Sequence, residues 1–206
     1  MSDTKWTFTS SYLALPRENV DTDQIIPARF LTTTERTGLG RHAFHDWRYR
    51  ADGSPNPDFI LNQAWAHSAE VLVAGHNFGC GSSREHAVWA LAGAGFRAVV
   101  TSSFADIFRG NALGNGLLPI VVTPNVLAAL ITEWSPDRRL GIDLETRTLT
   151  LPWGEAVSFD VPRFSQYCLL NDTDEMSFLL DALTDINAYE ERAPASIDTT
   201  VMRVSA

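Results

Sequence analysis

The sequence predicts an α/β domain with a mixed sheet, on three observations. Apolar stretches of strand length at residues 71–74, 97–101 and 117–122 are separated by helix-spaced segments, the alternation that builds parallel sheets. Further on, Ile142-Asp143-Leu144 and Thr148-Leu149-Thr150-Leu151 alternate around Glu145-Thr146-Arg147, the pattern of an antiparallel hairpin with one wet face. Between the strand at 71–74 and its helix lies a short turn holding Gly75, Gly79 and Gly81, so backbone can approach closely where strand passes to helix.

In order along the chain, residues 6–15 form a plausible first strand, and Asn19-Val20-Asp21-Thr22-Asp23 is a turn rich in side chains that bond their own backbone. Ile25-Ile26-Pro27 begins an excursion. From 32 to about 62, Gly38, Gly40, Gly53, Pro55 and Pro57 break any periodicity, which makes this the longest loop candidate; Phe44, Trp47, Tyr49 and Phe59 favour an ordered lid. A helix is expected from about 83 to 92, stopping at Gly93 and Gly95. Ser102-Ser103 would cap the next helix, through Phe104, Ile107 and Phe108, and Pro124 opens another through Leu127, Leu130 and Ile131. Helical spacing returns at Phe164, Tyr167 and Cys168, and again at Phe178, Leu179, Leu183 and Ile186. The expectation is a single domain over residues 1–192 and a disordered tail at 193–206.

Composition narrows the function. A chain of 206 residues with 45% hydrophobic content is long enough for one well-buried core. A formal charge of -9 and a pI near 4.9 argue against nucleic acid or an anionic membrane as partner, because both require a basic face. The N-terminus, Met1-Ser2-Asp3-Thr4-Lys5, lacks the apolar core of a signal peptide, and no apolar run approaches the roughly 18 residues of a membrane span. A cytoplasmic protein is expected. Cys80 and Cys168 are the only cysteines, so a disulfide framework, a thiolate zinc site or a self-contained iron–sulfur site is disfavoured. No metal site is expected on this chain, and any cluster in its chemistry would have to come from another chain.

The densest signal is Gly79-Cys80-Gly81-Ser82-Ser83-Arg84-Glu85-His86-Ala87. It allows two readings. Ser82 and Glu85 stand in capping-box relation, so the segment serves as an ordinary helix start. Alternatively, two adjacent hydroxyls and a guanidinium converge with the unpaired amides of a helix N-terminus, a place where an anion can sit. A cap needs only one serine, and ligands of such sheets sit beyond the carboxyl ends of the strands, where this turn would lie.

These residues resemble the small subunit of 3-isopropylmalate dehydratase, related to the swivelling domain of aconitase. The resemblance rests on Asn19 to Pro27 (Asn-Val-Asp-Thr-Asp-Gln-Ile-Ile-Pro), on Arg36-Thr37-Gly38, and on Phe44 with Asp46-Trp47-Arg48-Tyr49. It rests further on Val73 to Ala87, and on Phe104 to Asn111 through Leu117-Leu118-Pro119. It implies a swivelling β/β/α layered domain and isomerisation of 2-isopropylmalate to 3-isopropylmalate by dehydration and rehydration, a step of leucine biosynthesis. It leaves open a related dehydratase of methylmalate or dimethylmalate, or a non-catalytic interaction module of the same fold. It also implies a large-subunit partner, in a heterodimer or heterotetramer, that carries a 4Fe-4S cluster, with a small dicarboxylate as substrate.

The resemblance further implies roles for single residues. Ser82 would be the base, acting as its alkoxide. Ser83 would be a carboxylate donor or a cap. Arg84 would clamp a substrate carboxylate through a bidentate pair that lysine cannot copy. Arg36 would be a second substrate arginine, with Arg29 as substitute, and Leu39 would face the branched tail of the substrate. His86, Asp21 and Asp23 would support these groups, the aspartates by holding the turn or positioning a neighbouring arginine or histidine. Asp106 and Arg109 would pair with each other at helix spacing or meet the large subunit.

With two cysteines, the purified chain alone is expected to show no iron–sulfur absorbance and negligible dehydratase activity; visible spectroscopy and iron analysis check this.

Overall fold

In chain order the strands are β1 (Thr7–Leu15), β2 (Ala69–Ala74), β3 (Ala98–Thr101), β4 (Leu118–Val121), β5 (Arg139–Asp143), β6 (Thr148–Thr150) and β7 (Ala156–Ser158). The α-helices are α1 (Thr22–Ile25), α2 (His45–Arg48), α3 (Glu85–Gly93), α4 (Asp106–Gly114), α5 (Pro124–Thr132), α6 (Arg163–Leu170), α7 (Glu175–Asp181) and α8 (Leu183–Arg192). The computed structural model describes residues 5–31, 36–82 and 84–192; the expected tail at 193–206, and Ser83, lie outside the described residues.

The strands form one mixed sheet in the order β4-β3-β2-β1-β5-β6-β7. β1 to β4 are mutually parallel, and β5, β6 and β7 add antiparallel from the other side of β1. Both faces of the parallel half are covered, which is why those strands read as nearly continuous apolar runs. Leu13, Leu15, Leu72 and Val99 point into one core with Phe44, Phe78 and Leu91, while Tyr12, Val71, Val73 and Val100 point into a second with Ile120, Leu130 and Leu149. The period-2 alternation of strand side chains divides each strand between the two cores. Tyr12 ties β1 to α5 by donating its hydroxyl to the Leu130 carbonyl at 3.0 Å, and burial, the largest influence, pushes its phenol up to about 12.

Three local expectations need correction. No Ser82–Glu85 capping box forms: α3 begins at Glu85, and its N-cap is Arg84, whose side chain makes no cap hydrogen bond. The capping box instead opens α1, where Asp21 accepts from the Asp23 amide at 2.7 Å and Gln24 Oε1 accepts from the Asp21 amide at 2.9 Å. Nor does Ser103 cap α4, whose N-cap is Ala105; the Ser103 hydroxyl accepts from the Asn77 amide at 3.0 Å and so braces the Gly-rich turn.

The third concerns the irregular stretch after residue 32, which from Arg36 onward is not one long loop but a chain of short helical turns anchored to the core by Leu39, Phe44, Phe59 and Leu61. It winds through a 3-10 turn at Leu39–His42, then α2, then a 3-10 turn at Ile60–Asn62. Phe44 is fully buried and stacks on Trp47 with ring centres 5.6 Å apart, and Phe59 tilts against both. The segment docks on α3 through backbone. A Cβ built on Gly40 would stand 2.1 Å from the Gly93 carbonyl carbon and oxygen, a separation no real side chain tolerates. Among the described residues, no helix is long and apolar enough to cross a membrane.

Gly40→Ala is therefore expected to overpack this contact and lower stability by about 1–3 kcal/mol, read as a reduced urea midpoint with unchanged slope. An unchanged midpoint would mean that the segment does not rest on α3.

Candidate active site

Beyond the carboxyl ends of β1, β2 and β3, the chain stays paired although the strands have ended. Residues 19–22 run beside 76–80: the Asn19 amide donates to the His76 carbonyl at 2.8 Å, Gly79 to Val20 at 2.8 Å, and Thr22 to Cys80 at 2.9 Å. On the other flank, the Phe78 amide donates to the Ser103 carbonyl and the Ala105 amide to Phe78, both at 3.0 Å. Isolated parallel bridges Asp21↔Cys80 and Phe78↔Phe104 repeat the strand order β1-β2-β3. The Gly-rich turn is thus the central member of a three-segment extension of the parallel sheet.

Two glycines make this packing possible. Gly79 (φ +76°) lies against the Phe108 ring, where a Cβ would be 2.2 Å from a ring carbon. Gly81 (φ +88°) lies against the Asp21 carboxylate, which a Cβ would meet at 2.0 Å. Both combine a left-handed φ with a close neighbour, so any side chain is excluded twice over.

The turn opens on a cleft of about 260 Å³ lined by Thr22, Gly79, Gly81, Ser82 and Arg84 on one side and by Ala105 to Phe108 on the other. Ser82 is exposed and its carbonyl is held by the Thr22 hydroxyl at 2.8 Å. Arg84 is anchored by an ion pair with Asp23, its side chain 23% exposed against 49% for the aspartate. Asp21 and Asp23 therefore divide the labour: one fastens α1 and packs on Gly81, the other meets the arginine. His86 lies one residue into α3, its ring tilted against Trp89 with centres 4.7 Å apart. Burial, and after it the charge of Asp21, push the Cys80 thiol up, which makes it a poor thiolate for nucleophilic or ligand chemistry.

Of the other residues singled out in the sequence, Ser83 lies outside the described residues. Arg36 is not part of the cleft; its guanidinium lies over the Trp89 ring at 5.2 Å from the centroid, and the residue lines a separate cavity with Lys5 and Asp174. Leu39 is 3% exposed and belongs to the core, so it presents no surface to a ligand in this arrangement. Arg29 is engaged away from the cleft, bonded to Asp46 and to His45 Nδ1 at 3.1 Å, and its hydrogen bond holds the Asp46 carboxyl below its ordinary range. Asp106 and Arg109 do not pair: Asp106 lines the cleft, while Arg109 Nη2 donates to the Asp160 carbonyl at 3.1 Å. Sequence reasoning missed Thr22 and Ile107 as cleft residues. Thr22 carried a usable signal, because it sits inside the polar turn that the chain had to place somewhere; Ile107 carried none, being one more apolar residue on a helix.

Comparison with known proteins agrees with this architecture. The aconitase C-terminal domain family matches residues 9–125. The 3-isopropylmalate dehydratase small subunit of Anaeromyxobacter dehalogenans (strain 2CP-C) is 56% identical over 181 residues, covering 88% of this chain and 94% of that protein. The 3-isopropylmalate dehydratase small subunit of Chloroflexus aurantiacus (strain ATCC 29366 / DSM 635 / J-10-fl) is 52% identical over 195 residues, covering 94% and 97%. Among solved structures, the 3-isopropylmalate dehydratase (leuD) of Methanocaldococcus jannaschii superposes with a TM-score of 0.64 at 28% identity, covering 88% of this chain and 98% of that one. On the identity shared along nearly its whole length and the matching fold, the chain belongs to the 3-isopropylmalate dehydratase small-subunit family, built on an aconitase C-terminal domain.

Proposed function

We propose that this chain is the proton-handling half of a dehydratase that interconverts 2-isopropylmalate and 3-isopropylmalate in leucine biosynthesis, acting in the cytoplasm with a large subunit as a heterodimer or heterotetramer. One observation carries this reading: Ser82 and Arg84 line a single cleft beyond the carboxyl ends of β1, β2 and β3. The cleft, at about 260 Å³, is smaller than the roughly 300–1,000 Å³ of complete ligand pockets, as suits a site finished by a second protein.

The donor set of this chain does not suit an iron–sulfur cluster. Cys80 sits in the turn with its thiol pushed up, Cys168 is buried on α6, and the described residues contain no group of three or more cysteine, histidine or acidic side chains able to hold a metal. By family resemblance the 4Fe-4S cluster belongs to the large subunit, where it would supply Lewis-acid activation of the departing hydroxyl.

The residues of this chain account for the other half of the chemistry. Arg84 binds a substrate carboxylate, its guanidinium held in place by Asp23. Ser82, as its alkoxide, takes the proton from the carbon adjacent to the one bearing the hydroxyl. The C–H electron pair becomes the second bond of the alkene as the C–O bond breaks and hydroxide leaves; rehydration reverses these movements with the hydroxyl on the neighbouring carbon. The alkoxide needs strong stabilisation, because an ordinary alcohol stays protonated near neutrality and Asp21, whose charge already raises the neighbouring Cys80 thiol, adds negative charge to the turn. Within this chain the opposing devices are the Arg84 charge and the first-turn amides of α3, which the Arg84 side chain does not cap.

In the assembled enzyme, Ser82→Ala is expected to lower kcat by about 10²–10⁴-fold while complex formation stays intact, and near-normal turnover would remove Ser82 as base. Arg84→Lys is expected to raise KM for the diacid by roughly tenfold or more with little change in melting temperature. Steady-state assays over a panel of branched malates check both and rank 2-isopropylmalate against methylmalate and dimethylmalate by kcat/KM.

A further inference from the structure

The C-terminal helices have no core of their own. No residue of α7 or α8 is buried, and Met176, Leu180 and Tyr189 are 65%, 59% and 66% exposed. α7 rests on α6 through a ring cluster, Phe178 against Phe164 and Tyr167 with centres 5.0 and 5.7 Å apart, and these rings are themselves partly exposed. Helices of this length are marginal in water without a packed face, so a surface this apolar calls for a cover.

The same surface is continuous with the cleft. Ile107, 58% exposed, lines the cleft beside Ser82. Gly110 and Gly114 share its face of α4 at helix spacing and floor a second groove, of about 510 Å³, walled by Phe164 and Met176. Three residues of helix separate Ile107 from Gly110, about 4.5 Å at 1.5 Å per residue, and seven separate it from Gly114, about 10 Å. Whatever closes the cleft over Ser82 must pass over Ile107, and a protein-sized body there reaches the groove as well.

Charge selects the occupant. From Asp174 to Arg192 the segment carries Asp174, Glu175, Asp181, Asp185, Glu190 and Glu191 against the single base Arg192. In an interface between two copies related by a two-fold axis, this acidic rim would meet itself. A different protein, with an apolar patch rimmed by lysines and arginines, fits instead.

We propose that the face formed by α6, α7 and α8 is the docking surface for the large subunit, which covers the groove and the cleft in one continuous contact. This rests on the functional reading above, because only a partner that completes the site at Ser82 has to overlie Ile107.

The test measures binding of the full chain to its cognate cluster-loaded large subunit by surface plasmon resonance, with kcat at saturating large subunit and the melting temperature of the free chain alongside. The double variant Met176→Glu/Leu180→Glu, at two exposed positions, is expected to weaken Kd by roughly thirtyfold or more, the scale of a hot-spot side chain, with kcat and melting temperature near normal. Trp153→Glu, on the turn between β6 and β7, should leave Kd unchanged. Unchanged affinity in the double variant, or equal loss in the control, would overturn the docking face while leaving the functional reading standing. Absence of any complex with the unaltered chain would overturn both. Sedimentation of the free chain completes the test: a dimer abolished by the double variant would assign the face to a second copy and overturn the proposal.

Discussion

The site depends on main-chain hydrogen bonding that outlasts the strands. Where β1, β2 and β3 end, residues 19–22, 76–80 and 103–105 continue side by side through amide-to-carbonyl bonds between about 2.8 and 3.2 Å. Each such bond contributes only about 0.5–1.5 kcal/mol net, but leaving the partners buried and unpaired would cost more, so the three segments hold one another in register. Ser82 and Arg84 follow directly from that register, with the Thr22 hydroxyl fastening the carbonyl of Ser82. The side chains proposed to act therefore stand on a frame set by backbone and not by their own packing.

That frame explains which parts of the chain were legible in its sequence. β2, β3 and β4 were visible because strands buried on both faces leave uninterrupted apolar runs, and the hairpin of β5 and β6 because one of its faces is wet. β7 was not visible: three residues beyond Pro152 and Gly154 are too few to show a period. The turn carrying Ser82 and Arg84 stood out through its glycines, whose close neighbours, Phe108 and Asp21, are distant in sequence.

Misplaced features share a cause in tertiary pairing. Ser82 and Glu85 have capping-box spacing, but the Thr22 hydroxyl holds the Ser82 carbonyl and Arg84 itself is extended, so α3 starts later and the cap pattern is realised in α1 instead. Leu39 sits between two glycines and reads as loop tip; the approach of Gly40 to Gly93 draws it inside. Arg36 precedes the same glycines and resembles a substrate ligand by position, yet it lies over Trp89, outside the cleft. Local pattern identified residue types suited to the chemistry, and long-range backbone contacts decided which of them share a cavity.

The approach of Gly40 to Gly93 also constrains how this protein can change over generations. In an ordinary core contact, a larger residue on one side is offset by a smaller one opposite, so volume drifts between partners. Here the clash at Gly40 is with the carbonyl of Gly93, and neither position has an atom left to give up. Substitution at one cannot be rescued by trimming the other. The seam between the excursion and α3 is a point at which compensatory variation is closed off, and relief has to come from shifting whole segments.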